Sequence, residues 1–287
     1  MWSLRLPDNE NKIEIIRTAL TYQDGTPKYA LSADEFRVIE SVYERYEELN
    51  GRVHGDLLAP DLSDATKLAL HNAYGEVQEK KRLESYRSEL LLSAERCPCC
   101  SIGSADELDH HLPRSVYMSL ALYSSNLVPM CHTCNNKKRT AAGTEPSNSF
   151  LHIYYEQVPS EHRFFFANVQ IVDNKLRIFF DIENIAELDD DLYEMMKFQS
   201  ERVNLNRRLL KEINIFLTSF YVAMEPLYLA TTDPEQIKTY LLSGERQFNQ
   251  KMGVNDWRSS LLHALANNYE FCNGGFRYIV GIEDART

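Results

Sequence analysis

The spacing of apolar residues predicts helices over most of the first third of the chain. Residues 12–20 can form a short helix, and a stronger signal follows Ser32, which makes a capping box with Glu35. Apolar residues then recur every three or four positions until Asn50–Gly51, a pair that ends helices. A third helical pattern covers about residues 65–94 and has a solvated, charged face. We therefore expect a helical N-terminal region.

The second half of the chain changes period once. Residues 164–172 and 175–181 are rich in aromatic and β-branched side chains and flank Asp173–Asn174, which predicts a β-hairpin. Four helical patterns and a last short strand follow, at about residues 188–204, 205–228, 233–249, 255–268 and 276–280. The predicted fold class is α+β and predominantly helical, with this small hairpin in the C-terminal half.

The composition is that of an ordinary globular chain. Hydrophobic residues make up 44% and charged residues 25% of the 287 residues, which does not favour disorder. No apolar run reaches the roughly 18 to 20 residues of a membrane helix, and the N-terminus lacks the apolar core of a signal peptide. We therefore expect a cytoplasmic protein with no membrane partner.

Charge is distributed unevenly along the chain. The net charge is −11, yet residues 96–140 carry five basic and three acidic side chains, and both flanks are acidic. Because salt screens charges beyond about 8–10 Å, this local excess matters more to a nearby phosphate than the total does. The acidic flanks argue against tight, non-specific DNA binding by the chain alone.

Four cysteines in the basic segment have the spacing of a metal site. Cys97 and Cys100 form one C-x2-C pair and Cys131 and Cys134 form another. In a cytoplasmic protein such pairs are more often metal ligands than disulfides. Four thiolates suit tetrahedral zinc, and a closed site of this kind holds a fold together rather than catalysing a reaction. Cys99 could replace Cys100 only with the less usual C-x-C spacing.

Residues that can bind a hard metal or move a proton lie between and after the cysteine pairs. Asp109 and His110 end a short segment, Asn126 opens a run of Asn-Leu-Val-Pro, and Asn135 begins a short helical run. The predicted order is strand, loop, strand and helix. Neighbours in a regular strand face opposite sides, so Asp109 and His110 can share one site only if the strand bends or ends there.

The segments CPCC, LDHHLP, NLVP and CHTCNNKK together resemble the HNH endonuclease family, whose fold is a ββα-metal finger. The resemblance covers about residues 90–140. It implies that Asp109 and Asn135 hold a divalent ion, Mg²⁺ or Mn²⁺, that His110 is the general base, and that Asn126 orients this histidine. The implied reaction is hydrolysis of DNA phosphodiester bonds, with structural zinc on the four cysteines.

The doubled histidine leaves a second register open. If His111 were the general base, His110 would become a metal ligand. The family pattern has a proline three residues after the base, and Pro113 stands three residues after His110. The pattern therefore favours His110 and keeps His111 as the lesser candidate.

The resemblance also implies a division of the chain and a set of DNA contacts. We predict a helical region at 1–94, the finger at 95–142, and the hairpin with further helices at 150–287. Four basic side chains near the finger could contact phosphates, or could form a solvated basic turn: Arg114, Lys137, Lys138 and Arg139.

Beyond the finger, the layout more loosely resembles stand-alone HNH nucleases of bacterial anti-phage defence systems. This resemblance implies a defence role and a partner, either an ATPase subunit of such a system or a second copy of the chain. Two other functions stay open, a zinc-organised nucleic-acid-binding module without catalysis and a structural partner subunit. The joint presence of Asp109, His110, Asn126 and Asn135 favours the nuclease, because a binder needs no such set.

Overall fold

The computed structural model describes residues 1–279, and within them the chain forms ten α-helices and two antiparallel two-stranded sheets. The predicted α+β, predominantly helical class is thereby confirmed. The chain divides into two compact units, one spanning Trp2–Gln157 and the other beginning at Val158. The predicted N-terminal region and the predicted finger both lie in the first unit.

The predicted start and end of the second helix are confirmed. After α1 (Lys12–Ala19), α2 spans Ala33–Glu48. Ser32 Oγ accepts a hydrogen bond from the Glu35 N–H, and the Glu35 carboxylate accepts one from the Ser32 N–H. This reciprocal pair satisfies two donors that a helix start otherwise leaves unpaired. The chain leaves α2 at Asn50–Gly51, where both residues have positive φ.

The single helix predicted over residues 65–94 is wrong, because the chain forms two helices there, α3 (Asp64–Ala73) and α4 (Glu84–Leu92). A 3-10 turn follows α3, and the backbone at Lys80 has φ 60°. Residues 78–81 are polar or charged and exposed, so they have no apolar face to pack. Because helices of this length depend on such packing, the charged run interrupts the helix.

The central segment has the predicted order of strand, loop, strand and helix. β1 (Glu107–His110) pairs antiparallel with β2 (Leu127–Met130), and α5 (His132–Lys138) follows β2 directly. The register pairs His110 with Leu127 at the end of the hairpin where the connecting loop begins. A long loop therefore leaves β1 at His110 and returns immediately before β2.

The loop between β1 and β2 shares a hydrophobic core with α2. Tyr43 and Tyr46 of α2 are buried, and the Tyr43 ring stacks on Tyr123 of the loop with centroids 4.1 Å apart. Tyr46 meets the same Tyr123 ring edge-on at 5.5 Å. Aromatic pairs of this kind add about 0.5–1.5 kcal/mol beyond the burial of their area. The finger and the N-terminal helices are therefore packed as one folded unit.

The second unit opens with the predicted hairpin, β3 (Phe165–Val172) and β4 (Lys175–Ile182), which pair antiparallel. The two residues between the strands, Asp173 and Asn174, have φ of 51° and 58°. A type I′ turn needs positive φ at both positions, and aspartate and asparagine tolerate it better than most residues. The turn chemistry thus explains why the hairpin was predictable.

Five helices follow the hairpin in the described part of the chain: α6 (Asp190–Arg202), α7 (Leu205–Thr231), α8 (Pro234–Met252), α9 (Trp257–Ala266) and α10 (Tyr269–Cys272). The first four match the predicted helices to within three residues at each end. The last predicted strand is wrong as far as it is described, because Gly275–Ile279 is a 3-10 turn, and Val280 lies outside the described residues.

Of the described helices, α7 alone is long and apolar enough to cross a membrane by length and composition. Its most apolar window has a mean hydropathy of 1.3, and 17% of that window is buried inside the chain. One such helix is weak support for a membrane span, since a core helix passes the same test. No clear membrane span is therefore assigned within the described residues.

A substitution at Gly51 should test how tightly the end of α2 is packed against His152. Gly51 has φ +72°, and a Cβ there would lie 2.6 Å from His152 Nε2 and 2.9 Å from Tyr46 Oη. Gly25 has φ +85° but nothing within 4 Å of a Cβ. We expect Gly51→Ala to lower the free energy of unfolding, measured by urea denaturation, by about 3 kcal/mol or more, and Gly25→Ala by about 1 kcal/mol. Equal losses would show that backbone strain alone acts at Gly51.

Candidate functional site

The four predicted metal-ligating cysteines come together. The Sγ atoms of Cys97, Cys100, Cys131 and Cys134 all lie within 4.8 Å of one another and are buried. The first pair sits in a tight turn in which the Ser101 N–H donates to Cys97 O at 2.9 Å. The second pair begins α5, with Cys131 at its N-cap. Two separate backbone turns therefore present two sulfurs each to one point.

The sulfur spacing can accommodate a zinc ion. Tetrahedral zinc with bonds of about 2.3 Å to sulfur places its ligands about 3.8 Å apart, and Cys100 Sγ lies 3.8 Å from Cys131 Sγ. Hydrogen bonds from Cys100, Cys131 and Cys134 hold the pKa of Cys97 below its ordinary value. Cys99 is buried beside this cluster but is not one of its four members. The predicted choice of Cys100 over Cys99 agrees with this geometry.

The side chains of β1 alternate between two surroundings. Glu107 and Asp109 contact residues of α5, whereas the His110 ring packs against Tyr74, with centroids 4.4 Å apart. This is the alternation expected of a regular strand. The Asp109 carboxylate is therefore held by α5, and the His110 imidazole by Tyr74.

Asp109 is buried beside a buried lysine. Lys138 of α5 is 1% exposed, and its Nζ lies 2.7 Å from Asp109 Oδ2 and 2.8 Å from His110 O. Burial raises the pKa of Asp109, while the Lys138 ammonium opposes that rise. The prediction that Lys138 contacts phosphate is corrected, because its ammonium is enclosed and faces Asp109 instead.

Asp109 Oδ2 is a buried carboxylate oxygen that faces the Lys138 ammonium. Lys138 Nζ lies 2.7 Å from this oxygen, so a cation bound there would share Oδ2 with the ammonium or displace it. A buried carboxylate oxygen and an amide oxygen from Asn135 are hard donors of the kind that Mg²⁺ or Mn²⁺ takes. The chemistry of these residues therefore fits the implied cation.

His110 is buried and neutral. Its Nε2 lies 2.9 Å from Ala121 O, and since a carbonyl can only accept, the ring proton must sit on Nε2. The basic lone pair is consequently on Nδ1. Burial lowers the pKa of His110 to about 3. The ring is therefore uncharged at neutral pH, as a general base must be.

His111 is more accessible than His110. It is half-buried, its N–H donates to Asn126 O at 2.8 Å, and its ring lies 4.0 Å from the ring of His152. Burial lowers the pKa of His111 as well. The two candidates for the general base thus have different surroundings. His110 packs against Tyr74, and His111 packs against His152.

Asn126 holds the loop rather than the histidine. It is fully buried, its Oδ1 accepts from the Leu112 N–H at 2.8 Å, and its Nδ2 donates to Leu112 O and Leu120 O. Tyr46 Oη also donates to Oδ1, at 3.1 Å. The predicted contact to the His110 ring is therefore replaced by contacts to the backbone immediately after it.

A chain of buried hydrogen bonds extends from Asn126 through Tyr46 to His152. His152 Nδ1 accepts from the Tyr154 N–H, so Nε2 carries the ring proton and donates it to Tyr46 Oη, 2.8 Å away. Tyr46 Oη in turn donates to Asn126 Oδ1. His152 is 2% exposed and belongs to this polar core.

Asn135 is held by a residue that sequence reasoning missed. Its Nδ2 donates to Glu107 Oε2 at 2.8 Å, and Glu107 Oε1 accepts from His132 Nδ1 at 2.7 Å. Burial alone would raise the pKa of Glu107, but the hydrogen bonds from His132 and Asn135 outweigh it and the pKa is lowered. The two-residue period of a strand could have placed Glu107 on the Asp109 side.

The other three predicted phosphate contacts lie closer to the surface. Arg114 is half-buried, donates to His71 O at 3.2 Å and stacks over Tyr74 at 4.8 Å. Lys137 is half-buried and Arg139 is exposed at the end of α5. Arg139 is therefore the most accessible of the four cations predicted to meet DNA.

Comparison with known proteins gives one distant relationship. The chain is 22% identical over 266 residues to protein ea31 of Escherichia phage lambda, which covers 86% of this chain and 88% of that protein. No protein-family model matches the chain, and no solved structure matches it significantly. The similarity thus runs along nearly the whole of both proteins and is not confined to the finger.

The neighbouring cysteines Cys99 and Cys100 provide a matched test of the metal site. We expect Cys100→Ala to lose zinc and to lower stability severely, because three thiolates no longer close the site, and Cys99→Ala to keep one zinc per chain. Metal content by mass spectrometry, with thermal unfolding alongside, measures both. Zinc retained in Cys100→Ala but lost in Cys99→Ala would transfer the ligand role to Cys99.

Breaking the buried ion pair between Lys138 and Asp109 should lower the stability of the protein. Lys138→Met leaves the Asp109 carboxylate without its counter-charge, so we expect unfolding in urea to become about 3–5 kcal/mol easier. Adding Asp109→Asn should recover most of that loss, since it removes the uncompensated charge. Lys137→Met, one residue away, should cost less than about 1 kcal/mol. A loss that Asp109→Asn does not reduce would mean that Lys138 acts through packing alone.

Proposed function

We propose that this chain is a metal-dependent HNH-type endonuclease that hydrolyses DNA phosphodiester bonds. The observation that supports the proposal is the arrangement of β1, β2 and α5. Asp109 and His110 end the first strand, and Asn135 lies on the helix that contacts that strand. The cluster of four cysteines joins the start of this helix to the turn that precedes the strand. A ββα unit with these residues at these positions is what the resemblance to HNH nucleases implies.

In this proposal Asp109 and Asn135 hold Mg²⁺ or Mn²⁺. When bound, the cation neutralises charge on the phosphate and on the leaving 3′ oxygen. His110 takes a proton from water through the lone pair on Nδ1, and the Ala121 carbonyl fixes that tautomer by accepting from Nε2–H. His111 remains the alternative base, with His110 then a ligand.

Structural zinc on the four cysteines completes the proposal. It would fix the start of α5 against the turn at Cys97 and Cys100, and its binding would contribute on the order of 10 kcal/mol to folding. Such a site is closed, so the reaction takes place at the harder ion and not at zinc.

DNA binding in this proposal relies on a small basic surface. Arg139 and Lys137 stand at the end of α5, within residues 96–140, which carry a net positive charge, while both flanks are acidic. A nuclease of this charge pattern would bind DNA weakly alone and gain affinity from a partner. We therefore retain a second copy or an ATPase subunit as the proposed partner, and anti-phage defence as the proposed setting.

One feature favours a second function, a nucleic-acid-binding or partner subunit without catalysis. Lys138 already faces the Asp109 carboxylate, and the His110 ring is enclosed by Tyr74 and Ala121. A binding module could keep both contacts permanently. A nuclease has to give the cation access to Asp109 and water access to the base.

Plasmid nicking distinguishes the two functions. With Mg²⁺ or Mn²⁺ and supercoiled DNA, we expect His110→Ala and Asp109→Ala to lower the nicking rate by about 10²–10⁴-fold, because each removes a group that acts in the transition state. His162→Ala, at an exposed position of the second unit, is the control and should nick like the wild type.

Two results would change the assignment. A greater loss in His111→Ala than in His110→Ala would move the general base by one residue. Equal background nicking by the wild type and Asp109→Ala, with each divalent metal and with co-purifying subunits present, would rule out the nuclease.

A further inference from the structure

Glu107 occupies a particular place between β1 and α5. It lies two residues before Asp109, on the same side of the strand, and its two carboxylate oxygens accept from two different residues of α5. Oε2 accepts from Asn135 Nδ2 at 2.8 Å, and Oε1 accepts from His132 Nδ1 at 2.7 Å. The Glu107 side chain is 32% exposed, so these contacts form at the edge of the site and not in the core.

The contact to Asn135 decides which end of its amide faces outward. An asparagine amide has two orientations of similar intrinsic energy, since the torsion next to it is broad and roughly two-fold. An ionised carboxylate has no proton to donate, so only the NH₂ group of Asn135 can face Glu107. The amide oxygen must then point away from Glu107. The opposite orientation would bring two oxygens together.

Glu107 is not needed to keep α5 in place. The start of the helix is fixed by Cys131 and Cys134 within the cysteine cluster, and its end is fixed by Lys138, which contacts both Asp109 and His110. Asn135 lies between these two attachments. The contact from Glu107 therefore adds little to the position of the helix and acts on the amide itself.

From this geometry we infer that Glu107 is a positioning residue that presents the oxygen, and not the nitrogen, of Asn135 to a divalent cation. The inference rests on the proposed function, in which Asn135 is a ligand. Both Glu107 oxygens accept hydrogen bonds from α5, so the role inferred for Glu107 is to orient Asn135 and not to bind the cation directly. Partners behind a metal ligand commonly change metal affinity by about 10–100-fold when they are removed.

The test is a Mn²⁺ titration of the zinc-loaded protein, with free Mn²⁺ measured by electron paramagnetic resonance. We expect Glu107→Ala to weaken Mn²⁺ binding by about 10-fold or more. Glu107→Gln keeps an oxygen that can accept from Asn135, so it should bind within about 3-fold of the wild type. Glu95→Ala, an exposed position, is the control and should bind like the wild type.

A second background separates orientation from direct ligation. The variant Asn135→Asp has an oxygen at both ends of the side chain, so its orientation no longer matters. In that background Glu107→Ala should cost no Mn²⁺ affinity, and it can gain some because a like charge is removed. Zinc content and thermal unfolding of each variant show that the comparison is made on folded protein.

Three outcomes would overturn the inference. Unchanged Mn²⁺ affinity in Glu107→Ala would remove any role for Glu107. An equal loss with the native Asn135 and in the Asn135→Asp background would make Glu107 a ligand or a source of charge. A loss in Glu107→Gln as large as in Glu107→Ala would likewise point to charge. Failure of the proposed function looks different, because Asp109→Ala would then bind Mn²⁺ as the wild type does.

Discussion

The loop between β1 and β2 depends on one buried amide. It carries backbone groups into a space that water does not reach, and unpaired groups of this kind cost about 1–3 kcal/mol each. Asn126 satisfies three of them, at Leu112 N, Leu112 O and Leu120 O. Its own orientation is set by Tyr46 of α2, which is set by His152. A residue expected to act on the histidine thus determines the path of the chain after it.

Most of the fold could be predicted because local signals agreed with the final packing. The capping box at Ser32 and the pair Asp173–Asn174 each specify a backbone geometry by themselves, and both were correct. The helix over residues 65–94 was mispredicted because two stretches of helical periodicity were joined across the charged run between them. That run has no apolar face to pack, so it does not stay helical. Propensity could not show this, since the core that α3 and α4 face is built from distant segments.

The candidate site was predictable in its order and less so in its contacts. Cysteine spacing determined the four-sulfur cluster, because two tight turns leave little choice of partner. The pairing of Lys138 with Asp109 could not be foreseen, because a lysine between two basic neighbours, Lys137 and Arg139, gives the sequence pattern of a solvated turn. Glu107 was overlooked for a related reason. Its position in the sequence does not predict a contact with Asn135 until the strand and the helix are placed together.

The buried ionisable side chains determine how the stability of this finger depends on pH. Asp109 and Lys138 are enclosed together, and the attraction between them offsets only part of the cost of burying the carboxylate, whose pKa stays raised. His110 and His152 are buried and His111 is half-buried, and the pKa of each is lowered by burial, so all three rings favour the neutral form. Acidification therefore has to place charge on several enclosed rings, so loss of structure in acid should begin in the finger and its surroundings.

The core shared by α2 and the β1–β2 loop limits which parts of this protein can be exchanged by recombination. Many small metal-binding modules travel between proteins as self-sufficient cassettes. Here Tyr43 and Tyr46 supply part of the interior of the finger from α2, a helix that lies well before the finger along the chain. A gene rearrangement that carried the cysteine and histidine motifs alone would leave their hydrophobic support behind. Recombination should therefore preserve the N-terminal helices with the finger, which agrees with a similarity to the phage lambda protein that extends along both chains.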